Sequence, residues 1–284
     1  MSEILIPFSY SYMINAIMVS SLVGGLCAFL SAYLILKGWS LIGDALSHSI
    51  VPGVAGAYII GAPLFLGAFL AGGIAATVML FLNKHTTLKE DVIIGIIFTS
   101  FFGVGLFMIS IFPVSVDIQT IIMGNVLAIT LLDTYQLLII GSLSILILSL
   151  KWKDLFLIFF DEAQAQIIGL KPEFLKLVFF ALLSLSCVAA LQTVGAFLVV
   201  AMLITPGATA YLLTDKFQKL LIFSVLIGSF SSFLGAYLSF FINGATGGII
   251  VLLQTGLFFI VFFLAPKHGY WSGKYHKNKP RSKS

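Results

Sequence analysis

Asp44 and His48 are the only Asp, Glu, Lys, Arg or His side chains between Leu41 and Leu82. A carboxylate carried into hydrocarbon costs about 2.5–3.5 kcal/mol on insertion scales, so an acid retained there marks a candidate site. On a helix the two residues are i and i+4, sharing one face about 6 Å apart along the axis. Carboxylate and imidazole together form a borderline ligand set that suits manganese, iron or zinc better than calcium or magnesium. A structural role, with Asp44 bracing a helix and His48 bonded to a backbone carbonyl, stays open on these residues alone. A bound ion takes about four to six ligands, and one chain offers two strong ones. A symmetric pair of chains would supply two Asp and two His about the dyad, so the pattern predicts a homodimer with the ion path at its interface. Ligation needs neutral His48, and proton competition should weaken it below about pH 6 where the imidazole keeps its ordinary pKa.

The elements that must position this pair belong to a chain built for lipid. Of its 284 residues 60% are hydrophobic and only 9% charged, against about 25% charged in a soluble domain. The fold class expected is all-α, a polytopic transmembrane helical bundle. Stretches of about 20 apolar residues fall near 12–36, 41–60, 63–82, 92–112, 134–150, 174–193, 196–213, 220–242 and 249–265, which gives about nine spans. No polar block is long enough for a soluble domain, so residues 1–266 read as one transmembrane domain and 267–284 as a basic cytoplasmic tail. The first run has no Lys or Arg before it, which is wrong for a cleaved signal peptide. Cys27 and Cys187 lie deep in apolar runs and read as buried free thiols.

Lys and Arg accumulate on the cytoplasmic side of membrane proteins. With the N-terminus outside, all fifteen fall inside, including the six between Lys267 and Lys283. The outer segments then hold only Glu3, Asp117 and Asp133 as charges, so an acidic rim faces an arriving cation. Residues 113–133 would break this parity if they crossed, and are expected as a short or re-entrant piece packed against protein or water. Gln192 to Gly195 leaves almost no loop, predicting a tight turn or a break, and Pro206-Gly207 should kink the seventh span. A continuous helix from Lys37 would place Asp44 about 10 Å inward.

The polar connection from Lys151 to Lys176 lies inside. Within it a short amphipathic helix is expected over about 161–172, with Asp161 and Glu162 favouring its N-terminal dipole and Gly169 and Pro172 ending it. Such a helix suits docking of a soluble partner. The glycines read chiefly as close helix packing. Thr205 and Gly207 are weaker candidates for the ion path. Gln192, Asn125 and Asn243 read as interhelical hydrogen bonds, and His268 and His276 as part of a solvated tail.

Four segments carry a family resemblance: GWSLIGDALSHSIVPGVAGAYIIGAP, FDEAQAQIIGL, ALQTVGAFLVVAMLITPGATAYLL and GGIIVLLQTGLFFIVFFLAPK. Together they resemble the manganese/zinc/iron permeases of bacterial ATP-binding-cassette importers, over about residues 12–268, with wording nearest the manganese branch. The resemblance implies that Asp44 and His48 belong to the metal-coordinating and gating site. It also implies that Glu162 and Gly169, with the helix that Asp161 opens, contact a nucleotide-binding subunit. A fainter similarity to the larger vitamin and siderophore permeases, the type II importers, implies their fold with one fewer N-terminal span.

The expected function is therefore import of a divalent transition metal, manganese first, with zinc or ferrous iron as alternatives. The metal is substrate, and no resident cofactor is expected. The chain has no GxxxxGK[ST] loop, so a separate cytoplasmic ATPase must supply energy, and an extracellular receptor would deliver the ion. Absence of HExxH argues against a membrane metalloprotease. An ion-coupled secondary transporter would need further intramembrane acids as a relay. The location expected is the bacterial cell membrane, with the C-terminus cytoplasmic.

Overall fold

The computed structural model describes residues 3–39, 41–112 and 131–265, and every regular element among them is helical. After a short 3-10 turn (Glu3–Ser9) come α1 (Ser11–Lys37), α2 (Ile42–Ser49), α3 (Val51–Ile60), α4 (Leu64–His85) and α5 (Glu90–Ile111). They are followed by α6 (Leu131–Phe160), α7 (Glu162–Ile167), α8 (Pro172–Val194), α9 (Ala196–Leu213), α10 (Phe217–Ile242) and α11 (Thr246–Leu264).

Helix α1 is the axis of the bundle, enclosed by α6, α8, α9 and α10. Small residues set its distance from α10. A Cβ at Gly24 would collide with the Gly228 carbonyl and Ser232, and one at Gly228 would meet Ala28 and the Gly24 carbonyl. Ser224 Oγ then reaches across to donate to the Ala28 carbonyl at 2.6 Å. Without a hydrophobic drive between helices in lipid, this dispersion contact and interhelical hydrogen bonding hold them together. Lower on α1, Tyr33 sits among Phe29, Phe159, Phe179 and Phe217.

Among the described residues six helices, α1, α4, α5, α8, α10 and α11, are long and apolar enough to cross a membrane. Of the other three expected spans, two take different forms. The expected 41–60 span is divided into α2 and α3. Pro52 has no N–H to give the His48 carbonyl and its ring crowds that carbonyl, so the helix breaks at Ile50. Gly38, Trp39 and Leu41 are not helical either, because α1 ends in a turn at Gly38, where Gly38 and Trp39 return amides to the Ile35 and Leu34 carbonyls. The depth of Asp44 counted along a continuous helix from Lys37 therefore does not hold. The 134–150 stretch is only the first part of α6, whose 30 residues continue through Lys151 and Asp154 to Phe160. No Gly or Pro interrupts α6 after Gly141. The 196–213 stretch forms α9, an apolar helix of 18 residues with the bounds expected for it.

Two further expectations meet particular residues. Gly195 alone separates α8 from α9, with φ 84° and ψ 158°, a conformation open essentially to glycine. Pro206 lies inside α9, and the Gly207 amide beside it is bonded at 3.0 Å to Ser31 Oγ on α1. A hydroxyl from a neighbouring helix thus meets a backbone group that proline disturbs. Of the expected re-entrant piece 113–133, residues 113–130 lie outside the described residues and 131–133 open α6; Asn125 and the tail with His268 and His276 also lie outside them.

Candidate metal path and coupling helix

Helix α2 is only eight residues long and is packed among α4, α5, α8 and α9. Its back is closed: Gly43 lies against Leu203 of α9, and Ile42, Ala45, Leu46, Ser47 and Ser49 are buried. The two serines satisfy themselves within the helix, donating to the Gly43 and Ala45 carbonyls at 2.8 and 2.6 Å. Asp44 and His48 are the two positions left open, with side chains 41% and 34% exposed. Buried polar groups without partners are costly, and α2 has turned its two strongest polar groups to its one uncovered face.

The pair is joined. His48 Nδ1 lies 3.3 Å from Asp44 Oδ1 and 3.0 Å from the Asp44 backbone carbonyl. A hydrogen on Nδ1 satisfies that carbonyl and leaves Nε2 with the free lone pair, the usual way a backbone acceptor selects the ligating nitrogen of a histidine. The carbonyl contact raised as a structural alternative is thus present, and with the proton on Nδ1 it leaves the Nε2 lone pair unused by that contact. Two phenylalanines of α5 fix the ring edge-on, Phe98 at 5.1 Å and Phe102 at 5.6 Å between centroids. Sequence reasoning missed both. Their own i, i+4 spacing was the available signal, lost in a uniformly apolar segment.

Among the described residues no three of His, Cys, Asp and Glu come together in a way that could hold a metal ion. Gly207 is taken up by α1, and the Thr205 carbonyl accepts from Thr209 Oγ1 at 2.7 Å. Asn243 ends α10 in the left-handed conformation, so its role is a turn rather than an interhelical bond. Cys27 and Cys187 are free and buried.

The expected coupling helix is shorter than 161–172. Asp161 is its N-cap, its carboxylate accepting the Gln164 amide at 3.0 Å, and the helix α7 ends before Ile168. Gly169 takes φ +85°, and its amide and that of Leu170 close the turn onto Gln166 and Ala165, a geometry that favours glycine. Glu162 reaches Lys176 of α8 at 2.5 Å. Ala165 anchors α7 in the core, while Ile167 and Ile168 stand out at 84% and 61% exposure. Two exposed isoleucines beside a tethered helix form an apolar contact patch.

Residues 9–265 match the ABC 3 transport family. This chain belongs to that family. It is 57% identical over 282 residues to the chelated iron transport system membrane protein YfeC of Yersinia pestis, covering 99% of this chain and 96% of that protein. It is 45% identical over 271 residues to the manganese transport system membrane protein MntB of a Synechocystis strain, covering 95% and 89%. The solved structure of PsaBC from Streptococcus pneumoniae in complex with Fab superposes with a TM-score of 0.82 at 35% identity, covering 93% of this chain and 96% of that one. The resemblance read from the four segments therefore holds at the level of the family and of the all-helical permease fold.

Proposed function

We propose that the chain is the membrane-spanning subunit of an ATP-binding-cassette importer that carries a divalent first-row transition metal across the bacterial cell membrane. The observation that carries this reading is the open face of α2. An acid and an imidazole with a free Nε2 are held rigidly on a short helix, at a surface, with no third ligand in the same chain. A second permease copy would complete the coordination at a dimer interface. A nine-span topology with the N-terminus outside, the arrangement that puts all fifteen Lys and Arg inside, would set the pair on the path inward and α7 on the cytoplasmic side. There Asp161, Glu162 and Gly169 build the platform for a separate ATPase, and the basic tail 267–284 extends into the cytoplasm. A soluble receptor outside would hand over the ion.

Manganese and ferrous iron are the proposed cargoes. The motif wording favours manganese, and the relative at 57% identity is named for chelated iron. Zinc fits the ligand types as well, since selectivity among these ions follows geometry and availability.

The test is ATP-dependent uptake of manganese, iron and zinc into proteoliposomes holding the chain, its ATPase and its receptor. Wild type should accumulate metal only with ATP, and Asp44→Asn and His48→Ala should abolish accumulation with the ATPase still bound. Uptake without ATP by this chain alone would instead mark a secondary transporter.

A further inference from the structure

A polar cleft of about 650 Å³ opens where the ends of α1, α4, α5, α7 and α8 meet. Three carboxylates line it, and each ties two elements together. Glu162 joins α7 to Lys176 on α8. Glu173 at the start of α8 joins Lys84 at the end of α4 at 2.6 Å. Glu90, in the first turn of α5, accepts from Asn83 Nδ2 of α4 at 3.3 Å and from the indole N–H of Trp39. These bonds run in one line from the expected coupling helix to Trp39, whose carbonyl meets the first amide of α2.

Trp39 is placed to control that helix. Its side chain is buried, 4% exposed, with the ring edge-on to Phe159 of α6 at 5.5 Å and tilted against Phe180 of α8 at 5.3 Å. Lys37 Nζ lies 5.8 Å from the ring centroid. The Trp39 carbonyl receives the Ile42 amide at 3.2 Å, so the residue clamped by Glu90 also opens the first turn of α2. An indole N–H to a carboxylate is a charge-assisted bond and fixes direction as well as distance. Helix α2 spans about 12 Å and its far end is already broken at Ile50. With so short a lever, a shift at Trp39 turns the whole helix, and Asp44 and His48 turn with it.

We propose that Trp39 and Glu90 are positioning residues for transport: their bond holds the root of α2 and passes displacement of α7, through α8, α4 and α5, to the Asp44/His48 face. The proposal rests on the reading of that face as the ion site. It adds two residues, apart from the Asp44/His48 pair and from α7, that hold the linkage between them.

The test uses the reconstituted complex of the full chain with its ATPase and receptor, with manganese as the probe. Trp39→Phe removes the N–H and keeps the ring, and Glu90→Gln removes the charge and keeps the shape. Each should lower metal transported per ATP hydrolysed by about fivefold, the size seen for residues along a coupling network. The KM for manganese should stay within about twofold, because the ligands themselves are intact. The double variant should be no worse than the more impaired single one, since Glu90→Gln leaves one acceptor oxygen for two donors and Trp39→Phe removes one of those donors, so both act on the same bond. Asn83→Ala, which removes only the weaker contact to Glu90, gives a milder second probe and should lower the same ratio by about twofold. An unchanged ratio in Trp39→Phe and Glu90→Gln overturns the proposal, as do losses that multiply in the double variant or a KM that rises while the rate is kept. His48→Ala run in parallel separates the two claims. If it leaves uptake intact, the ion-site reading fails. If it abolishes uptake while Trp39→Phe and Glu90→Gln transport normally, the positioning proposal alone fails.

Discussion

Helices α1 and α2 follow one another in the chain and are built in opposite ways. The first runs unbroken for 27 residues, is buried along most of its length, and meets α10 through backbone contacts at Gly24 and Gly228. The second is eight residues long, is cut off by Pro52, and turns an acid and an imidazole to its one open face. Where helices approach to backbone contact, an added methyl has nowhere to go and the geometry is fixed. Where a short helix keeps strong polar groups open, packing is complete on one side only, and among the described residues no third ligand of the same types stands beside them. The first arrangement specifies a scaffold, and the second is what the proposed half-site requires.

The comparison breaks most directly at the scaffold. Gly24→Leu drives a side chain into the Gly228 carbonyl and Ser232, and overpacking of this kind costs about 3 kcal/mol or more where backbone must move. Loss of a monodisperse peak in size-exclusion chromatography is the expected result, and a normal peak with unchanged Tm would show that the interface is loose. The half-site should respond in the reverse sense. Asp44→Asn and His48→Ala are expected to reduce metal uptake by about 100-fold, with stability kept within about 0.5 kcal/mol because both side chains are partly exposed. Proton competition adds a signature: uptake at low metal concentration should fall as the pH is lowered, and His48→Ala should flatten that dependence.

Smaller effects sharpen the contrast. Ser31→Ala leaves the Gly207 amide beside Pro206 without its partner, which should cost about 1 kcal/mol in thermal unfolding. The Lys84–Glu173 pair is exposed on both sides, 62% and 76%, so Lys84→Ala should leave Tm unchanged. A clear drop would mean that the pair is shielded in the assembled molecule.

The sequence carried the class of fold and the central pair because both rest on local rules. Nearly continuous apolar stretches demand helices in lipid, and i, i+4 spacing puts Asp44 and His48 on one face whatever surrounds them. Asp161, Gly169 and Pro172 announce the ends of α7 and the start of α8 through capping chemistry that acts within a few residues. The division of the second span was written in Pro52, but apolar residues on every side of that segment hid the period that would have marked two helices. Lys151 and Asp154 read as a loop, yet they pair at 3.1 Å along the surface of α6, which nothing in its sequence stops. Glu90 and Trp39 lie 51 positions apart, and only the packed bundle brings carboxylate to indole. Phe98 and Phe102 were indistinguishable from the lipid-facing residues around them. The choice among iron, manganese and zinc was not legible in the ligand types, which all three accept.

The central claim is that Asp44 and His48 form half of a shared ion site, and equilibrium metal binding to the purified permease–ATPase complex tests it most directly. Titration with manganese, read by electron paramagnetic resonance and by elemental analysis after gel filtration, should give one ion per two permease chains, with binding lost in both Asp44→Asn and His48→Ala. One ion per chain, or binding that survives both substitutions, would contradict it.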